Sequence, residues 1–142
     1  MMQPKIKKIL VPLDGSKNSF RGLNEAIYLA RQCNATITGL CVVPLYTVNL
    51  GRLLTSLKKE SEKEAKKFMR RAKTIAAQNG VVFYEKILYG NEAWEITEFA
   101  SYKKFDIIVM SSRGLGALKE AFLGSVTNMV VHRSKVPVLV VK

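Results

Sequence analysis

Two rhythms of apolar residues alternate along this chain. The opening KIKKILVPL gathers Ile6, Ile9, Leu10 and Val11 and stops at Pro12, as a short buried strand does. Asp14-Gly15-Ser16 follows with turn residues and a helix start signal. From about Asn18 to Gln32 the rhythm changes, and Phe20, Leu23, Ala26, Ile27 and Ala30 recur at helical spacing. ATITGLCVV is β-branched and apolar, a second buried strand halted by Pro44. A looser segment, LYTVNLGR, leads into a long helix predicted from about Leu53 to Gln78. Its inward stripe reads Leu54, Leu57, Ala65, Phe68, Ala72 and Ile75, and Asn79-Gly80 ends it with residues that tolerate a left-handed backbone.

The second half repeats the alternation. VVFYEKIL reads as a third strand closed by Tyr89-Gly90-Asn91, and EAWEITEFASY as a short helix with Trp94, Ile96 and Phe99 at core spacing. FDIIVMS is almost continuously apolar, as expected of a central parallel strand covered on both faces. A glycine-rich run follows and enters a helix through Val126 to His132, before PVLVVK supplies the last strand. Strands separated by helices imply right-handed βαβ units. The expected fold is therefore α/β: a Rossmann-like open sandwich of five parallel strands in the order 3-2-1-4-5, with helices on both faces. No internal repeat, low-complexity tract or linker interrupts the pattern, so residues 1–142 read as one domain.

Composition narrows the function classes. The chain has 142 residues, 48% of them hydrophobic, as in a globular protein. No apolar run approaches the roughly 20 residues that span a membrane. The basic start MMQPKIKKIL lacks the apolar core and cleavage site of a secretory signal, so the expected address is the cytoplasm. Cys33 and Cys41 show neither CxxC nor metal-ligand spacing and read as reduced packing thiols.

The net charge of +12 is the feature that would attract a polyanion. In LKKESEKEAKKFMRRAK, however, cations are interleaved with Glu60, Glu62 and Glu64, and pairs such as Glu62 with Lys66 support a helix. This reads as a solvated mixed face, and neither nucleic acid nor membrane is the expected partner.

Candidate chemistry gathers at one edge of the expected sheet. In open α/β sheets a ligand sits beyond the carboxyl ends of the strands, where strand order reverses. The first strand delivers Pro12, Asp14, Gly15 and Ser16 there, and the fourth delivers Met110, Ser111, Ser112, Arg113 and Gly114. Gly114 and Gly124 allow backbone amides to approach an anion closely. Gly124-Ser125 also opens a helix, where free amides and the dipole favour phosphate. The two loops are expected to meet in an electropositive cup.

These residues resemble the universal stress proteins. Nucleotide-binding members of that family carry Gly, two residues, Gly, nine residues, then Gly with Ser or Thr. Gly114, the nine residues after it, Gly124 and Ser125 match, whereas Ser111 stands where the first glycine is usual. ILVPLDGS, FDIIVMSSRG and VPVLVVK add to the resemblance, which runs the length of the chain. It implies an adenine nucleotide (ATP, ADP or AMP) with Pro12 and Asp14 near the adenosine and Val42 offering backbone groups to the adenine. Met110 would pack nearby, and Ser111 would fall against the ribose, crowding it or hydrogen-bonding to it. Gly114, Gly124 and Ser125 would surround the phosphates, with Val126 and Thr127 next on the same helix start. Asp14 would touch a nucleotide-bound Mg²⁺ or serve the turn; the protein alone offers no metal site. The resemblance also implies a homodimer through the terminal strand Pro137–Lys142, an apolar edge suited to pairing.

The implied function is a homodimeric stress-response or signalling module that binds adenine nucleotide and acts on an unidentified protein partner. A family member without nucleotide and a slow ATP hydrolase are the alternatives. No catalytic residue is expected. There is no Walker lysine loop and no GxSxG elbow, and His132 reads as a helix-end residue.

Overall fold

The structure, a computed structural model, describes residues 5–45, 52–113 and 123–142, the side chains of 52–57 excepted. Residues 46–51 of the LYTVNLGR segment, the side chains of the inward positions Leu54 and Leu57, and Gly114 lie outside the described residues.

Strands and helices alternate: β1 (Lys8–Pro12), α1 (Lys17–Cys33), β2 (Thr36–Val43), α2 (Arg52–Gln78), β3 (Phe83–Tyr89), α3 (Glu92–Tyr102), β4 (Ile107–Ser111), α4 (Ser125–Arg133) and β5 (Val138–Val141). All neighbouring strands pair in parallel, in the order β3-β2-β1-β4-β5. This is the expected α/β topology, with the reversal of strand order between β1 and β4.

The two faces of the sheet carry separate cores. On one face α1 and α2 bury Phe20, Leu23, Ala26, Ala65, Met69, Ala72 and Ala76 against Ile9, Val11, Ile37 and Val109. On the other, α3 and α4 bury Ala93, Ile96, Ala100 and Val130 against Leu10, Leu40, Ile108 and Met110. Strands covered on both sides explain why FDIIVMS shows no polar alternation.

Local chemistry fixes the helix starts. Ser16 caps α1 by accepting from the Ser19 amide at 3.0 Å, and Asn91 caps α3 by accepting from the Trp94 amide at 2.9 Å. Gly15 stands at φ +86°, which a side chain would resist.

Three expectations need correction. Trp94 is half exposed rather than core, because α3 buries the stripe Ala93, Ile96, Thr97 and Ala100, and Trp94 lies one position round from it. Cys33 is exposed at the last residue of α1, beyond the last buried position Ala30; only Cys41 is a packing thiol. In α2 the buried stripe is Ala65, Met69, Ala72 and Ala76, with Phe68 and Ile75 only partly buried, so the helix is rotated from the expected setting.

Candidate functional site

A cavity of about 620 Å³ opens at the carboxyl edge where β1 and β4 part. Such a volume lies within the range of small-molecule sites. Pro12 and Asp14 reach it from the end of β1, Val42 from β2, and Met110 and Ser111 from β4. Gly124, Ser125, Val126 and Thr127 reach it from the start of α4. The structure thus brings nine of the ten expected site residues to one cavity; the tenth, Gly114, lies outside the described residues.

Hydrogen bonds shape each half of the cavity. Leu13 donates its amide to the Leu40 carbonyl at 2.8 Å, anchoring the loop after β1 against β2. Gly124 donates to the Ser112 carbonyl at 2.7 Å, and the Thr127 hydroxyl donates to the Ser111 carbonyl at 2.8 Å. These two bonds fold the start of α4 back onto the end of β4. Among the described residues no side-chain hydrogen bond caps α4.

Asp14 and Ser111 both serve their own turns. The Asp14 carboxylate accepts from the Ser16 amide at 2.9 Å, shaping the entry to α1. Ser111 donates its hydroxyl to the Arg113 carbonyl at 2.7 Å. Behind it α1 packs close: a Cβ on Gly22 would stand 3.2 Å from the Ser111 amide nitrogen.

The electrostatics reverse one expectation. Among the described residues the lining holds Asp14, Glu60, Glu64 and Glu92 and no lysine, arginine or histidine, so that part of the cup is acidic rather than electropositive. Glu60 and Glu64 come from α2, whose rotation turns them to the cavity rim, and Glu92 opens α3. Burial, and then the Asp14 carboxylate, raise the Glu92 carboxyl above its ordinary range. Cys41 is pushed up to about 12, by burial first and then by Asp14 and Glu92. Its thiol is therefore inert at neutral pH.

Sequence reasoning missed Cys41 as a lining residue, together with Ser19, Phe68 and the three glutamates. Glu92 carried a signal, since it follows the turn that closes β3 at the ligand edge. Glu60 and Glu64 carried none, because their direction depends on how α2 is rotated. Ser16, Gly15, Ser112 and Arg113, expected at this edge, are not on the lining.

Comparison with known proteins places the chain in a family. The model described as "Universal stress protein family" matches residues 5–142. The chain belongs to the universal stress protein family. It is 37% identical over 142 residues to the universal stress protein MJ0531 of Methanocaldococcus jannaschii, covering 96% of this chain and 82% of that protein. Among solved structures it resembles the universal stress protein UspA from Lactobacillus plantarum, with a TM-score of 0.91 at 27% identity, over 99% of this chain and 100% of that one. It also resembles a universal stress protein in complex with cAMP, with a TM-score of 0.77 at 27% identity, over 96% and 97% of the two chains. In this universal stress protein fold no described helix is long and apolar enough to cross a membrane.

Proposed function

We propose that the cavity binds an adenine nucleotide (ATP, ADP or AMP), and that residues 1–142 act as one domain of a homodimeric stress-response module that passes this occupancy to a protein partner. The observation that carries the reading is the start of α4 on the cavity wall. Among the described residues no side chain caps its first-turn amides, and the helix dipole adds positive potential where a phosphate would sit. The solved relative in complex with cAMP supports an adenine nucleotide as the ligand class.

In this reading Pro12, Asp14 and Val42 face the adenosine, and Met110 and Ser111 underlie it. Gly124, Ser125, Val126 and Thr127 surround the phosphates, with Gly114 joining them by the family pattern. The acidic lining orients the ligand, since carboxylates accept from ribose hydroxyls and the adenine amino group but repel phosphate. The Ser111 hydroxyl, spent on the Arg113 carbonyl, is turned back into its own turn, which supports binding in spite of the missing glycine. Asp14 is the carboxylate that would meet Mg²⁺ carried by the phosphates.

Binding rather than turnover fits the arrangement. His132 stands exposed in the last turn of α4 and does not line the cavity. For the dimer, β5 is a sheet edge with Leu139 exposed, and pairing of Pro137–Lys142 with its copy would cover it.

Heating the purified protein and running the supernatant on ion exchange tests the ligand, with AMP, ADP or ATP as the expected release. If nothing is released and ATP with Mg²⁺ leaves Tm unmoved, the reading fails, because a ligand of the native state raises Tm.

A further inference from the structure

The net charge of +12 has no counterpart among the described residues that line the cavity. The structure also separates what the sequence interleaves on α2. Glu60 and Glu64 reach the cavity rim, and Glu62 accepts from the Tyr89 hydroxyl on the opposite flank. Lys58 lies over the Tyr89 ring and Arg71 over the Phe20 ring, so these two cations are also turned aside. Between the flanks runs the crest of the helix. Lys59, Lys63, Lys66, Arg70 and Lys73 are all exposed and follow one another at steps of four, three, four and three residues. At 100° per residue they fall within an arc of roughly 80°, and at 1.5 Å per residue the stripe is about 21 Å long.

A purely structural role explains this stripe poorly. Like charges three and four residues apart destabilise a helix. From Ala65 to Gln78 the helix carries five cations and no acid. The helix dipole does not account for them either, since the last turn holds no basic residue and the dipole acts within that turn.

We propose that the outward face of α2, from Lys59 to Lys73, is a sequence-independent docking face for the phosphate backbone of duplex nucleic acid. Charge complementarity selects the occupant: a straight row of exposed cations matches a polymer of regularly spaced phosphates. The crest carries no aromatic, asparagine or glutamine side chain, so it offers little to read base edges. An anionic membrane fits less well, because the apolar side of α2, Ala65, Met69, Ala72 and Ala76, is already spent in the core and cannot insert. The centre of this face lies roughly 120° around the helix from Glu60 and Glu64, and the proposal does not rest on nucleotide binding in the cavity.

The test is fluorescence anisotropy with a labelled mixed-sequence DNA duplex, titrated across a series of NaCl concentrations. One variant carries Lys59→Gln, Lys63→Gln, Lys66→Gln and Arg70→Gln. A control of equal net charge carries Lys5→Gln, Lys7→Gln, Lys86→Gln and Lys103→Gln, four exposed positions outside α2 and outside the terminal strand. The wild type is expected to show a slope of log K against log [NaCl] of about −4.5, and the α2 variant a slope smaller in magnitude by about 3.6, as counterion release at four fewer phosphates requires. The control is expected to keep the wild-type slope. Equal losses in the two variants would reduce the effect to bulk charge and overturn the proposal. So would a wild type that fails to bind the duplex, including one that binds phosphatidylserine vesicles instead.

Discussion

The Thr127 hydroxyl donates to the carbonyl oxygen of Ser111 at 2.8 Å, so the first turn of α4 is tied to the last residue of β4. Both residues are buried, and both line the cavity. One hydrogen bond thus links the stability of the switch point to the shape of the proposed phosphate site. Thr127→Val keeps the side-chain shape and removes the donor. It is expected to cost about 1–3 kcal/mol, read by calorimetry as a Tm lower by roughly 3–10 °C. Thr127→Ser should recover most of the loss, and a Thr127→Val protein that melts with the wild type would show that the bond does no structural work.

Gly39 in β2 sits against Phe83 of β3. A Cβ on Gly39 would stand 2.3 Å from the Phe83 ring, closer than two carbons approach. Gly39→Ala is therefore expected to lower stability by about 1–3 kcal/mol, the usual cost of overpacking a core. Adding Phe83→Leu removes the clashing ring atoms, and urea unfolding should show the double variant losing less than the two single losses combined.

The two cysteines differ in reactivity for a physical reason. Cys33 is exposed, whereas Cys41 is buried beside Asp14 and Glu92 with its thiol pushed up to about 12. Because the thiolate is the reactive form, native protein at pH 8 should take up one equivalent of iodoacetamide, at Cys33. Unfolding in guanidinium should release the second. Peptide mapping of the native product is the check, and prompt labelling of Cys41 would contradict the assigned burial.

Glu92 carries a pH signature. Burial and the Asp14 carboxylate favour its neutral form, so its folded pKa is raised above the unfolded value. A group shifted this way contributes stability below the unfolded pKa and loses it as pH rises through the folded one. Glu92→Gln, which stays neutral, should therefore melt higher than wild type near pH 8, with the gap closing toward pH 4. Melting curves across that range test it; a gap that widens in acid would give the shift the opposite sign.

The fold was largely legible because each signal was local. Pro12, Pro44 and the Tyr89-Gly90-Asn91 turn punctuate runs whose β-branched residues admit little besides a buried strand. Asp14-Gly15-Ser16 was equally readable, since Ser16 caps α1 and Gly15 takes the left-handed conformation such a turn requires. What the sequence left open was rotation. Trp94 sits one position away from the buried stripe of α3, and apolar spacing alone could not tell it from Ala93. On α2 an offset between Phe68 and Met69, or Ile75 and Ala76, decides where Glu60, Glu62 and Glu64 point. It thereby decides that the described lining is acidic while the crest beside it is basic. That choice rests on packing against β2 and β3, which no charge pattern reveals.

Isothermal titration of ATP and AMP into wild type and Gly124→Asp is the most direct measurement. Gly124 is the N-cap of α4 at φ −62° and ψ 159°, a conformation that aspartate adopts readily and in which it caps well. The variant should therefore fold and melt no lower than wild type, while its carboxylate occupies the first-turn amides and repels phosphate. The account predicts saturable heat with wild type and none with Gly124→Asp. Nucleotide binding of equal strength in both proteins would contradict it.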